Sequence, residues 1–322
     1  MKLKLVKNLI DNWQPSTLEI TDYNISSIEE NAFQDLKNLV LDVGPISLQE
    51  NLFDPLISLN YLRIEIKYNP QSPLRYINNV LKTVPSIRVL EILNSDSINI
   101  CDNPISNENS LPLTGLYYTG GSIITLPTNS LICLWNLEKL SISKTQLTTI
   151  EAGVFDSMTV LKYIYLAFNK LTHISTASNV FNVRNLEIID LSNNSINKID
   201  KEAFEIVSNK LTLLNLSYNS LDIIEEGIFK NIKCKVIDFR QNRIVDIADN
   251  AFNTSHVDTL NLLDNYFSTF NRSKWGLNDN TIVYMEYMQS DIAFSPSNKS
   301  ISLIDPNDDN IKHGTEISKK SY

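Results

Sequence analysis

The chain has 322 residues, 43% of them hydrophobic, with a formal net charge of −9 and a pI near 4.9. That apolar content excludes a disordered chain, and the surplus of carboxylates disfavours nucleic acid and anionic lipid surfaces as partners. With only 8 glycines it is a poor candidate for Gly-rich phosphate loops, and no stretch reaches the roughly 20 apolar residues of a membrane span.

The opening "MKLKLVKNLIDNWQPS" places a lysine every second or third residue where a secretory leader has an unbroken apolar run, so no export signal is expected in it. "LIDNWQPSTLEI" aligns with "AFQDLKNLVLDV", with Ile10 and Trp13 in the apolar slots, so the chain is expected to begin in the middle of a repeating unit. Residues 1–17 are then either a reduced N-terminal cap or a truncated one whose remainder lies upstream. Weak units follow, anchored at Leu18, Leu39, Leu62, Leu90 and Leu116, with Phe33, Phe53 and Leu131 in an aromatic slot. The span 67–112 is irregular, and "SINICDNPISNENSLP" (97–112) reads as an insertion of turn residues.

The pattern then becomes regular. "LKYIYLAFNKLTHI" (161–174), "LEIIDLSNNSINKI" (186–199), "LTLLNLSYNSLDII" (211–224), "CKVIDFRQNRIVDI" (234–247) and "VDTLNLLDNYFSTF" (257–270) superimpose. Their anchors, counted from Leu140 through Ile164, Ile189, Leu214, Ile237 and Leu260, are 24, 25, 25, 23 and 23 residues apart by subtraction. Phe155, Phe204, Phe229 and Phe252 share one later slot and Phe181 falls two residues late. Counting on from Leu260 reaches Val283, with Trp275 in the aromatic slot, as a last capping strand; the solenoid is expected over 18–289, and the polar tail 290–322 is expected to be disordered.

Such a period fits a coil that lays down one short strand per turn, with the two leucines of each LxL pointing inward and their neighbours outward. One repeat buries too little to offset the entropy of ordering about two dozen residues, so stability requires stacked neighbours. A buried amide is expensive without partners. Asn169, Asn194, Asn219, Asn242 and Asn265 recur at the period and are expected to form a ladder bonding the turns of successive repeats, since an Asn side chain both donates and accepts. Tyr23, Gly44, Ser95, Gly121 and Thr145 occupy that slot earlier, which predicts a less regular and less stable N-terminal half.

The LxxLxLxxNxL units resemble the leucine-rich repeat family, in particular its subclass of about 24 residues per repeat found in animal extracellular and receptor-type proteins. The resemblance covers nearly the whole chain. It implies a mainly β solenoid of the α/β class, a right-handed horseshoe with a concave parallel sheet of about 11–12 short strands and a convex side of loops or 3-10 turns. It implies a non-catalytic module that recognises a protein ligand or co-receptor through the concave face, as in the ectodomain of an arthropod immune or adhesion receptor, outside the cell or at its surface. A cytoplasmic scaffold or adaptor is the alternative, favoured by the missing leader and by cysteines that look unpaired. Extracellular members of the family carry cysteine-rich caps, and neither flank has one. Cys101, Cys133 and Cys234 lack CxC or CxxC spacing and are expected to be three buried thiols, with neither a disulfide framework nor a zinc site.

An enzyme finds little support. His173, His256 and His313 are scattered, with no HExxH or GxSxG, and no metal or cofactor is expected. The glycines of "TGGS" (119–122) fall at a strand-to-turn position, where they stand in for the missing Asn. On the concave face the outward slots bring together Tyr117, Lys139, Tyr163 and Tyr165, the expected contact patch, because tyrosine gives large contact area at low entropy cost. Asp190, Asn215, Asp238 and Arg240 make the C-terminal half of that face polar and mixed in sign. Asn24, Asn193, Asn215, Asn253, Asn271 and Asn298 begin sequons, possible N-glycosylation sites in an exported protein; a chain so rich in Asn, Ser and Thr yields about this many by chance, so their number does not fix the compartment. Oligomeric state is not legible.

Overall fold

The computed structural model describes residues 2–5, 16–20, 24–28, 35–43, 53–66, 84–96, 98, 100–101, 111–175, 180–181, 183–204 and 210–286. Ile10, Trp13, Tyr23, Phe33, Gly44, the tail 290–322, the sequon at Asn298 and much of the irregular span 67–112 lie outside these residues. The chain divides into two compact units, Met1–Tyr165 and Leu166–Tyr322.

In the first unit the strands are β1 (Lys2–Leu5), β2 (Thr17–Ile20), β3 (Asn24–Ile28), β4 (Asn38–Val43), β5 (Tyr61–Ile66), β6 (Val89–Leu93), β7 (Gly115–Thr119), β8 (Thr125–Leu126), β9 (Lys139–Ser143), β10 (Thr149–Ile150) and β11 (Tyr163–Tyr165). Strands β2, β4, β5, β6, β7, β9 and β11 pair side by side in that order, all parallel, in a register that places anchor beside anchor: Leu18, Leu39, Leu62, Leu90, Leu116, Leu140, Ile164. β1 pairs with β3 and β8 with β10, so two of the described stretches add a second short strand away from the main sheet.

The second unit continues with β12 (His173–Ile174), β13 (Ile188–Asp190), β14 (Lys198–Ile199), β15 (Leu211–Asn215), β16 (Ile223–Ile224), β17 (Lys233–Asp238), β18 (Asp246–Ile247), β19 (His256–Asn261), a four-residue helix α1 (Arg272–Trp275) and β20 (Ile282–Tyr284). Strands β13, β15, β17, β19 and β20 form its parallel sheet, again with anchors in register from Ile189 to Val283. Short strands pair β12 with β14 and β16 with β18. The seven strands of the first sheet and the five of the second match the strand number that the period predicts. The protein is a parallel β solenoid built of one turn per repeat.

Alternation along each strand explains the core. In β9, Leu140 and Ile142 are fully buried while Lys139, Ser141 and Ser143 remain partly exposed. The aromatic slot fills the coil from behind: Phe204, Phe229 and Phe252 stack at ring-centroid separations of 5.9 and 5.2 Å, and Phe181 joins them 5.6 Å from Phe204 despite its two-residue lag. Behind Phe155 and Phe252 the chain turns on single i to i+3 bonds, from Met158 N–H to Phe155 O at 3.0 Å and from Ser255 N–H to Phe252 O at 2.9 Å. Trp275 and Val283 close this core and are buried.

The asparagines stand one behind another in the second unit. Asn219 Nδ2 donates to Leu216 O and Leu191 O, both at 3.0 Å, and its Oδ1 accepts from Ile196 N–H at 2.9 Å. Asn194, Asn242 and Asn265 repeat the arrangement, accepting from Leu171, Leu221 and Ile244 N–H and donating to the carbonyls of their own and the preceding turn. Asn169 donates to Leu166 O at 3.0 Å. Each shared carbonyl thus receives two donors, whereas each N–H has one acceptor. Asn219→Ala therefore leaves Leu191 O and Leu216 O bonded to Asn194 and Asn242 but orphans Ile196 N–H, and a loss of about 2 kcal/mol is expected in urea titration. An unchanged midpoint would contradict the ladder's role.

The first unit solves the same problem with small residues. Gly120 and Gly121 adopt φ of +77° and +82°, and a Cβ on Gly121 would lie 2.0 Å from Ser95 O, so the turns touch backbone to backbone where the second unit inserts an amide. Asp96 accepts from the Ser122 N–H at 3.2 Å and from its hydroxyl, and Thr145 Oγ1 accepts from Leu147 N–H at 3.3 Å. These glycines serve packing.

One expectation is overturned. Cys101 and Cys133 form a disulfide, with Cα atoms 5.6 Å apart, and only Cys234 remains a free, buried thiol among the three. The spacing of 32 residues hid the pair because the coil brings the insertion back onto the following turn: Ile100 and Cys101 N–H both reach Ser130 O, and Leu111 N–H reaches Cys133 O at 3.2 Å.

Candidate protein-recognition face

The outward side chains of the first sheet form two rows. One runs Tyr61, Val89, Gly115, Lys139, Tyr163 and the other Arg63, Glu91, Tyr117, Ser141, Tyr165, each residue in register with the next. Parallel pairing at about 4.8 Å per strand brings Tyr117, Lys139, Tyr163 and Tyr165 into one patch. Lys139 Nζ lies 5.4 Å from the Tyr117 ring centroid and 5.1 Å from that of Tyr165, a cation held between two π faces. Gly115 makes room for this, since a Cβ there would stand 3.1 Å from Tyr117 Cε2.

Next to the patch, the Tyr61 hydroxyl donates to Glu91. Burial, then the bond and charge of Glu91, push the Tyr61 hydroxyl up to about 12. Tyr61 and Glu91 are 30 residues apart, and nothing in either segment announces their pairing. Glu138 is matched by Lys162 at 2.8 Å. All four tyrosines are half-buried, as are Arg63, Glu91, Lys139 and Ser141 beside them.

In the second unit the expected polar residues carry a local duty. Asp190 Oδ1 accepts from Ser192 N–H at 2.9 Å, Asn215 Oδ1 from Ser217 N–H at 3.1 Å and its hydroxyl at 2.7 Å, and Asp238 Oδ1 from Arg240 N–H at 2.9 Å. Each closes the turn that leaves its strand, as Asn261 does with Leu263 at 3.2 Å. Burial pushes the Asp238 carboxyl above its ordinary value, against the opposing pull of the Arg240 N–H and charge. The Arg240 guanidinium lies 5.6 Å from the Tyr218 ring. Beside this row the sheet presents Ile188, Leu213, Val236, Thr259 and Ile282 in register, a half-buried and mostly apolar stripe.

Of the sequons, Asn253 and Asn271 are exposed, and Asn271 caps α1 through Oδ1, accepting from Lys274 N–H at 2.9 Å. Asn193 and Asn215 are half-buried. Asn24 lies in β3. No group of three or more metal-ligating side chains occurs among the described residues, and no helix among them is long and apolar enough to cross a membrane.

The leucine rich repeat family model matches residues 136–180 and 184–234. The chain is 28% identical over 289 residues to Toll-like receptor 8 of Homo sapiens, covering 74% of this chain and 26% of that protein. It is 31% identical over 102 residues to Toll-like receptor 4 of Felis catus, covering 31% and 12%. The chain thus spans about an eighth to a quarter of the length of these relatives. The solved Toll–Spatzle complex of Drosophila contains a chain of the same fold, with a TM-score of 0.54 and 21% identity over 84% of this chain and 38% of that one. Repeat period, stacked amides and family match agree: residues 136–180 and 184–234 are leucine-rich repeats, similar to those of the animal receptors above.

Proposed function

We propose that the chain is a non-catalytic recognition segment of a receptor-type protein and that it binds a protein partner through the open face of its sheet. The observation that carries this reading is the clasp of Tyr117, Lys139 and Tyr165, with Tyr163 beside it: large amphipathic side chains held in place on a face that the fold itself leaves uncovered. In the second unit, taken by itself, Asp190, Asn215 and Asp238 on its own sheet, with Arg240 just after, are the polar candidates. The net charge of −9 favours a protein over a nucleic acid. Toll, which shares the fold, is bound to Spatzle in its solved complex, and an arthropod immune or adhesion receptor is the setting proposed for this chain too.

The Cys101–Cys133 disulfide supports the extracellular side, since such bonds persist in oxidising compartments and are rare in the cytosol. It also removes one ground for the scaffold alternative, the unpaired thiols. In that setting the exposed Asn253 and Asn271 are the sequons best placed to carry glycans.

The test is affinity capture from secreted proteins of the source organism, followed by binding to a chain carrying Tyr117→Ala, Tyr163→Ala and Tyr165→Ala. Affinity for the captured protein is expected to fall at least about a hundredfold while the melting temperature changes little. Undiminished binding would remove the patch from the interface.

A further inference from the structure

We infer that Lys139 is the anchor of the recognition face and that the group it takes is a single carboxylate, an Asp or Glu side chain of the partner protein, received between the rings of Tyr117 and Tyr165. This rests on the reading of the face as a protein-binding surface and adds the chemistry the partner must bring.

The cation is preorganised. A lysine side chain normally sweeps a wide volume and loses that freedom on binding. Here the neighbouring strands set a ring on each side, Tyr117 from β7 and Tyr165 from β11, with Nζ 5.4 and 5.1 Å from their centroids. Tyr117 and Tyr165 are each in register with Ser141, so the floor between the rings is one small hydroxyl residue. A group fixed before binding gives up less on complex formation.

The cation also lacks an anion. Among the described residues no ion pair includes Lys139, whereas Glu138, the residue before it, is paired with Lys162 at 2.8 Å and Glu91 accepts from the Tyr61 hydroxyl. The rings attract a cation without neutralising it, so its charge stays available to a carboxylate approaching from solvent.

The surroundings set how much negative charge can approach. Glu65 and Glu91 stand on β5 and β6 of the same sheet, Glu138 precedes β9, and the whole chain carries −9. A polyanion would meet Glu65 and Glu91 along its length, whereas one carboxylate within an otherwise neutral or basic segment is repelled far less and is drawn to Lys139. The flat faces of the rings then receive the apolar parts of the residues flanking the acid.

The probe is a random peptide display library panned on the immobilised full chain, with consensus peptides remade and titrated by fluorescence polarisation. The expected consensus holds one invariant Asp or Glu. Changing it to its amide and changing Lys139→Met should each weaken binding about tenfold or more, with the combination no worse than either alone, the signature of a direct pair. Circular dichroism melts check that the variants fold. Peptides that bind without an acidic residue, or that bind Lys139→Met within about twofold, overturn the anchor. If such peptides still lose binding on Tyr117→Ala and Tyr165→Ala, the recognition face stands and only the carboxylate fails. If they are indifferent to those changes, or if panning enriches nothing, both fail. Preferential binding of an oligonucleotide, abolished by Lys139→Met, would reassign the site to polyanions and overturn the proposal as stated.

Discussion

Phe229→Ala is expected to lower the stability of the second unit by about 4 kcal/mol, the largest effect of any single truncation proposed for this chain. Phe229 is 0% exposed, stacked between Phe204 at 5.9 Å and Phe252 at 5.2 Å and met edge-on by Phe239 at 5.5 Å. Phe252 is hindered from collapsing into the space, because its backbone is held by the Ser255 N–H bond to its carbonyl at 2.9 Å and by its own N–H bond to Trp275 O at 3.0 Å. In a solenoid each repeat depends on its neighbours, so a cavity in the middle weakens the coupling on both sides. Urea unfolding followed by circular dichroism should show a lower midpoint and a broadened or divided transition. Phe168→Ala, whose ring is 50% exposed, is the control and should lose about 1 kcal/mol or less. A similar small loss for Phe229→Ala would mean that the aromatic column is not the spine of the core.

Cys133→Ser is expected to cost the first unit about 3–4 kcal/mol, the loop entropy released when a bridge spanning 32 residues is opened. The bridge fastens Cys101, at the N-terminal end of the insertion, to the turn after Leu131, so its loss also frees the attachment of Ile100 and Leu111 to the coil. Cys101→Ser should match it, and the double variant should be no worse than either single one, since all three remove the same bond. Thiol titration of the unfolded, unreduced protein should find one thiol, Cys234, rising to three after reduction. Three thiols before reduction, in protein made in an oxidising compartment, would contradict the bridge.

The repeat itself was legible because its cause is local. Inward anchors such as Leu214 and Ile237, the ladder position of Asn219 and the closing pair Trp275 and Val283 are all fixed by where one turn of coil must bury a side chain or satisfy a backbone group. Features that arise between turns were hidden. Cys101 and Cys133 have no spacing motif because the coil, not the local sequence, brings them together. The Tyr61–Glu91 bond and the seat of Lys139 between two rings depend on the register of strands more than twenty residues apart. Asp190, Asn215 and Asp238 lie in the outward slots that the repeat predicts, but their use in closing turns depends on backbone geometry that outward position does not reveal.

The central claim, that a protein partner rests on the open face of the first unit, is tested most directly by site-specific photo-cross-linking. A benzophenone amino acid at Ser143, in register with Thr119 beside the clasp, is compared with one at Ile124, which is 59% exposed just before the short strand β8 on the other side of the coil. Irradiation with secreted proteins of the source organism should give a protein adduct from position 143 that excess unmodified chain competes away, and none from position 124. The same adduct from position 124, with none from 143, would place the partner on the opposite side and contradict the account.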